Sequence, residues 1–187
     1  VTSSCEPSGA ARTGSDAADD AADDAADDAV RVEVYDGPHG DLRHLFALAE
    51  DSAEQLDRYL DEGRVLVAAV AGTEAAGHLQ LVQTGRPGHA EVKNMAVRED
   101  LQGRGIGRRL VEAAVDLLTR ESAEVLLVAT AAADTGNLRF YQRLGFRMLS
   151  VERDAFTPAT GYPGPVMIDG IELRDRVWLD RPLGGGR

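Results

Sequence analysis

The chain has 187 residues, 43% of them apolar, with 20 Lys plus Arg against 32 Asp plus Glu and a single Cys. That length suits one domain with a sizeable core, and one Cys excludes an internal disulfide. A net charge of −12 without any basic stretch excludes a protein that tracks along nucleic acid phosphates.

The acid is concentrated at one end. Residues 1–30 carry eight acids against Arg12 alone, which leaves a net −5 for the other 157 residues. Residues 17–28 repeat Ala-Ala-Asp-Asp three times, so aspartates stack four apart and oppose the helix that Ala favours. This predicts a disordered acidic tail over 1–29, holding Cys5 as an incidental thiol, ahead of a folded domain at 30–187. No apolar run of about 18 residues and no secretion-type apolar segment occur, so a cytoplasmic protein with no membrane partner is expected. Four scattered His and one Cys give no metal-ligand spacing, so no metal is expected.

From Val30 short apolar strands alternate with amphipathic helices, the pattern of a mixed α/β domain. Arg31 to Tyr35 is a first strand, followed by helical stretches at 41–50 and 52–61 that end at Gly63. Val65 to Ala71 and His78 to Gln83 follow, joined so tightly that they are expected to be antiparallel. Ala90 to Val97 is the fourth strand and leads into a helix at about 106–120, where Ile106, Leu110, Ala114 and Leu118 share one face. Val125 to Ala129 reads as a strand buried on both faces. A short helix from Asn137 to Leu144 closes on Gly145, then come a strand from Phe146 to Glu152 and a Pro/Gly-rich loop over 157–165. Alternation of Ile171, Leu173, Val177 and Leu179 with polar residues predicts one last long strand, the seventh.

The most specific local signal is Gln102-Gly103-Arg104-Gly105-Ile106-Gly107, set where a strand ends and a long helix begins. Such a loop offers consecutive backbone N–H groups and a positive helix end to an anion. A Walker loop would need Lys-Ser/Thr, which is absent, and a dinucleotide fingerprint would need a third glycine where Arg108 stands. A pyrophosphate loop of the form Gln-x-x-Gly-x-Gly remains, beside the plainer alternative of a glycine turn that only lets the helix pack closely.

With that loop, the strand Glu91-Val92-Lys93-Asn94-Met95-Ala96-Val97 and the later run Asn137-Leu138-Arg139-Phe140-Tyr141-Gln142-Arg143-Leu144-Gly145-Phe146, the chain resembles the GNAT (Gcn5-related) N-acetyltransferases over about 30–187. The ending Asp169 to Asp175 looks like that of a group of bacterial members. The resemblance implies an α/β (α+β) fold: a mixed, mostly antiparallel sheet of about seven strands with flanking helices, strands 4 and 5 being parallel and splayed. It also implies acetyl-CoA as co-substrate, with its pyrophosphate on the amides of Gln102, Gly103, Arg104, Gly105, Ile106 and Gly107. The pantetheine arm would lie along Met95, Ala96 and Val97 like an added strand.

By the same resemblance Tyr141 is the candidate general acid that protonates the departing thiolate, and a packing residue otherwise. Glu91 is the candidate general base. An amine of pKa near 10.4 costs roughly 4–5 kcal/mol to present unprotonated at neutral pH, which a nearby carboxylate offsets. The alternative for Glu91 is a surface pair with Lys93. Asn137 is expected on the pantetheine arm, at a helix N-cap, or both. Arg104, Arg108 and Arg109 are within chain reach of phosphates, although each also suits a solvated helix face. His78 and His89 are expected as surface residues flanking the turn between the third and fourth strands, and Tyr162 in the acceptor pocket. The acceptor is expected to be a small-molecule or protein amine. Two other readings stay open: a non-catalytic acyl-CoA sensor and a nucleotide-binding oxidoreductase.

Overall fold

The computed structural model describes residues 30–50, 52–162 and 164–184, so the expected tail lies outside the described residues. A seven-stranded sheet runs in the order β1-β2-β3-β4-β5-β9-β6. Its strands are β1 (Arg31–Val34), β2 (Arg64–Val70), β3 (Thr73–Gln83), β4 (His89–Val97), β5 (Val125–Ala131), β6 (Arg147–Glu152) and β9 (Arg176–Pro182). Every neighbouring pair is antiparallel except β4 and β5, which are parallel. The helices are α1 (Arg43–Phe46), α2 (Ala53–Tyr59), α3 (Ile106–Arg120) and α4 (Thr135–Arg143).

Period-two alternation in β2 splits its side chains between two cores. Leu66 and Ala68 join the large core built around α3, whose Ile106, Leu110, Val111, Ala114 and Leu118 are all buried. Val65 faces the other way into a smaller cluster with Leu45, Phe46, Leu56 and Leu60 from the α1–α2 region. Helices therefore cover both faces of the sheet, as an apolar sheet requires.

Three element boundaries differ from the sequence expectation. The helical stretch at 41–50 contracts to a 3-10 turn at His39–Leu42 followed by the single turn of α1. β3 begins at Thr73, so His78 lies in mid-strand rather than at the turn before β4. The long final strand is broken: Asp169 and Gly170, both at positive φ, form a tight turn that pairs β7 (Met167–Ile168) with β8 (Ile171–Glu172) as a separate hairpin. Ile171 is consequently exposed, and only Arg176–Pro182 joins the main sheet.

Candidate active site

The site begins with one extra residue in a strand. Gln80 pairs with Asn94 and Leu81 with Val92, so Lys93 bulges out of the β3–β4 ladder. A bulge bends its strand and sharpens the local twist. The parallel β4–β5 ladder runs from His89↔Val125 to Val92↔Val128 and stops at this bulge. Beyond it, β4 keeps its pairing with β3 and turns its other edge to a cleft of about 1930 Å³. Met95, Ala96 and Val97 line one wall of that cleft, and Ala129, Thr130 and Ala131 line the opposite wall. The volume is about twice the upper range for a drug-sized ligand, enough for two substrates together.

The glycine loop closes one end. Gly103 and Gly105 sit at φ 72° and 74°, a region where L side chains are strained. Gly105 is the N-cap of α3 and no side chain caps that helix, whose first backbone bond runs from Arg109 N to Gly105 O at 3.0 Å. The N–H groups of Ile106, Gly107 and Arg108 thus lie ahead of the helical ladder at the positive end of the dipole. Gln102, Gly103, Gly105, Ile106 and Gly107 all line the cleft. Gly107 has a different reason to be glycine: a Cβ there would stand 3.3 Å from the Phe140 ring, so its smallness lets α4 pack. The Gln102 amide donates to Val97 O at 3.2 Å and fastens the loop to the end of β4. Arg108 lines the cleft while pairing with Glu112 at 2.9 Å, and Arg109 reaches the same carboxylate at 3.6 Å. Arg104 is exposed outside the lining.

Sequence reasoning did not single out Arg139 and Arg143, which stand one turn apart on α4 and line the cleft. Their i, i+4 spacing within the quoted motif was the available signal.

Tyr141 is buried in the main core, its ring edge-on to Phe140 at 5.1 Å and Phe146 at 5.5 Å, and it also lines the cleft. It is therefore at once a packing residue and a group within reach of a ligand. Burial, helped by the Asp134 carboxylate, pushes its pKa up, so the phenol keeps its proton at neutral pH. Glu91 lines the cleft with 17% of its side chain exposed and pairs with Lys93 at 3.8 Å. Burial raises its pKa, and the positive charges of Lys93 and Arg176 oppose that rise. Asn137 also lines the cleft but is not the N-cap of α4. Asp134 caps the helix, accepting from Asn137 N at 2.8 Å and from the Asn137 side-chain amide at 2.7 Å. Asp134, three residues before the expected start, takes the cap, and α4 therefore begins at Thr135.

The far end of the cleft is lined by Glu50, Gln55, Tyr59, Phe156, Tyr162 and Trp178. Tyr59 donates to Glu50 at 3.3 Å and accepts from the Asn94 amide at 2.9 Å, while Lys93 Nζ lies 5.3 Å over its ring. The buried Gln80 amide donates to Tyr59 O and Glu62 O, both at 2.8 Å, and so secures the end of α2 to β3. His78 and His89 are not surface residues. They are buried, at 0% and 8% exposure, and His78 packs on Phe46 at 4.1 Å. Their expected places at strand ends suggested the surface, but β3 starts five residues earlier and holds His78 in its middle, while His89 opens β4 as a buried residue. Among the described residues no group of three His, Cys, Asp or Glu is placed to hold a metal, and no helix is long and apolar enough to cross a membrane.

A splayed parallel pair, an uncapped helix N-terminus beside it and a chamber of aromatic and charged side chains beyond form a scaffold suited to an extended, anionic acyl donor. The sequence pattern of the Acetyltransferase (GNAT) family matches residues 31–146, more than half of the chain, which therefore belongs to that family. The N-acetyltransferase YvbK of Bacillus subtilis (strain 168) is 33% identical over 153 residues, 81% of this chain and 96% of that one. A Bacillus subtilis acetyltransferase solved with CoA superposes with a TM-score of 0.74 at 32% identity, covering 82% of this chain and 98% of that one. A GNAT acetyltransferase from Elizabethkingia anophelis with acetyl-CoA bound gives 0.75 at 28% identity, covering 83% and 99%.

Proposed function

We propose that the chain transfers an acetyl group from acetyl-CoA directly to an amine, with Tyr141 as general acid and Glu91 as general base. The observation that carries this reading is the continuity of one cleft, from the uncapped start of α3, along the open β4 edge, past Tyr141 to Glu91. The donor fits what the chain presents: N–H groups at 106–108 for a diphosphate, and the unpaired edge of Met95 to Val97 for an amide-bearing arm. Arg139 and Arg143 add positive charge to the same end. Acetyl-CoA supplies the activated acyl carbon.

The chain's own residues supply the proton traffic. Glu91 takes a proton from the acceptor ammonium, directly or through water, and frees the nitrogen lone pair. As the C–N bond forms and the C–S bond breaks, the Tyr141 hydroxyl gives its proton to the departing sulfur, and the second proton that the nitrogen sheds in becoming an amide restores the phenol, directly or through water. The burial that raises the phenol also raises a buried thiol, so the two acids move in the same direction. Asn137, fixed by Asp134, is the residue of α4 set beside the donor arm. The acceptor is a small-molecule or protein amine, and the reaction belongs in the cytoplasm with its donor.

The test is thiol release together with calorimetry. Tyr141→Phe should lower kcat by about 10²-fold with donor affinity retained, and Glu91→Gln should remove the acidic limb of the pH–rate profile. Unchanged turnover in Tyr141→Phe refutes the acid, and an unaltered profile in Glu91→Gln refutes the base. Donor binding with no thiol release for any amine would mark a sensor.

A further inference from the structure

The chain holds four Phe, four Tyr and one Trp, and six of these, Tyr59, Phe140, Tyr141, Phe156, Tyr162 and Trp178, line the cleft. Aromatic area that is scarce elsewhere is thus concentrated where substrates lie. Four of the six stand at the acceptor end and are held in place. Phe156 meets Tyr162 edge-on at 5.0 Å, the Tyr59 hydroxyl is held between Glu50 and the Asn94 amide, and Trp178 Nε1 donates to Glu152 at 3.1 Å. Rings fixed in advance bury a flat ligand at little cost in side-chain entropy.

Two carboxylates at or beside this end are paired with cations. Glu91 is matched by Lys93 at 3.8 Å, and Glu152 by Arg176 at 3.2 Å, while each cation also lies over a ring, Lys93 on Tyr59 and Arg176 on Phe156. Glu50, the other carboxylate lining this end, accepts from the Tyr59 hydroxyl at 3.3 Å and the Ser52 N–H at 3.1 Å. The segment between β6 and β9 flanks the chamber, and Gln55 Nε2 donates to Thr160 O at 3.3 Å, which ties it to α2. Ile168 and Leu173 of that segment add apolar lining.

We propose, building on the transferase reading above, that the acceptor is a monoamine carried on a flat apolar body, of the arylalkylamine class. Its nitrogen meets Glu91 and its ring lies among Tyr59, Phe156, Tyr162 and Trp178. A polyamine finds the carboxylates here already engaged by Lys93, Tyr59 and Ser52, whereas the ring of an arylalkylamine finds aromatic walls.

The full chain with acetyl-CoA is assayed by thiol release against 2-phenylethylamine, spermidine, kanamycin and an Ala-initiated hexapeptide. The expected result is a kcat/KM for 2-phenylethylamine at least tenfold above the other three. Trp178→Ala should raise its KM about tenfold or more, with kcat and the calorimetric affinity for acetyl-CoA little changed. Trp178→Phe, which keeps a ring and controls for misfolding, should recover most of the loss. A higher kcat/KM for spermidine, kanamycin or the peptide overturns this inference while leaving acetyl transfer standing, as does a Trp178→Ala enzyme with unchanged KM. Failure of all four amines despite donor binding overturns both.

Discussion

His78 makes the stability of this fold depend on pH in a way that can be measured. The side chain is 0% exposed, stacks on Phe46 at 4.1 Å, and neither ring nitrogen meets a hydrogen-bond partner. Burial therefore lowers its pKa from 6.5 to about 4. Between those values the unfolded chain binds a proton that the folded chain refuses, so stability from this group is whole above pH 6.5 and falls as pH drops toward 4. At 1.36 kcal/mol per pH unit over a window of about 2.5 units, the loss comes to about 3 kcal/mol. His78→Phe keeps a flat ring against Phe46 and cannot titrate. Removing two unpaired nitrogens offsets some of the crowding from the larger ring, so the variant should lie within about 1–2 kcal/mol of the parent at neutral pH. Urea unfolding of both proteins at intervals from about pH 4 to 8 gives the difference between them, from which the carboxylates common to both cancel. That difference should swing by about 3 kcal/mol in favour of the variant as pH falls through the window. A difference flat to within about 0.5 kcal/mol would show that the histidine is not held neutral.

Two further changes probe the cleft. Lys93→Met removes a cation that lowers the Glu91 pKa against the effect of burial, so the acidic limb of the pH–rate profile should move to higher pH; a limb that stays still or moves down contradicts the pairing. Gly105→Ala places a Cβ at φ 74°, costs about 1 kcal/mol of local strain, and should weaken acetyl-CoA binding roughly fivefold by calorimetry with the acceptor KM unchanged.

The long helix and most strands of the first 120 residues were legible from their apolar periodicity, as in the Ile106, Leu110, Ala114, Leu118 face of α3, whereas the first five residues of β3 were read as turn. The glycine loop was legible for a related reason: Gly103 and Gly105 carry positive φ, a backbone requirement that the sequence shows as glycine. Gly107, by contrast, answers to Phe140 across the cleft, which no local pattern reveals. The β7–β8 hairpin was missed because Asp169-Gly170 is a hairpin turn set inside an alternation that happens to continue through it. The acceptor end was the least legible. Tyr59, Phe156, Arg176 and Trp178 come from separate elements and meet only through the sheet order, and Lys93 became a bulge only by the β3–β4 register.

Four residue pairs are the whole ladder between β4 and β5, and no other strand of the main sheet bridges the two sides. The described residues from β1 to α3 form one contiguous leaf, and β5, α4, β6 and β9 form a second, with the cleft between them. A backbone nick in the turn at 121–124 would leave each leaf with its own strand pairing intact, so the two fragments should reassemble most readily when the thioester is present to clasp them. The enzyme is thereby a natural starting point for a two-piece reporter of its own donor.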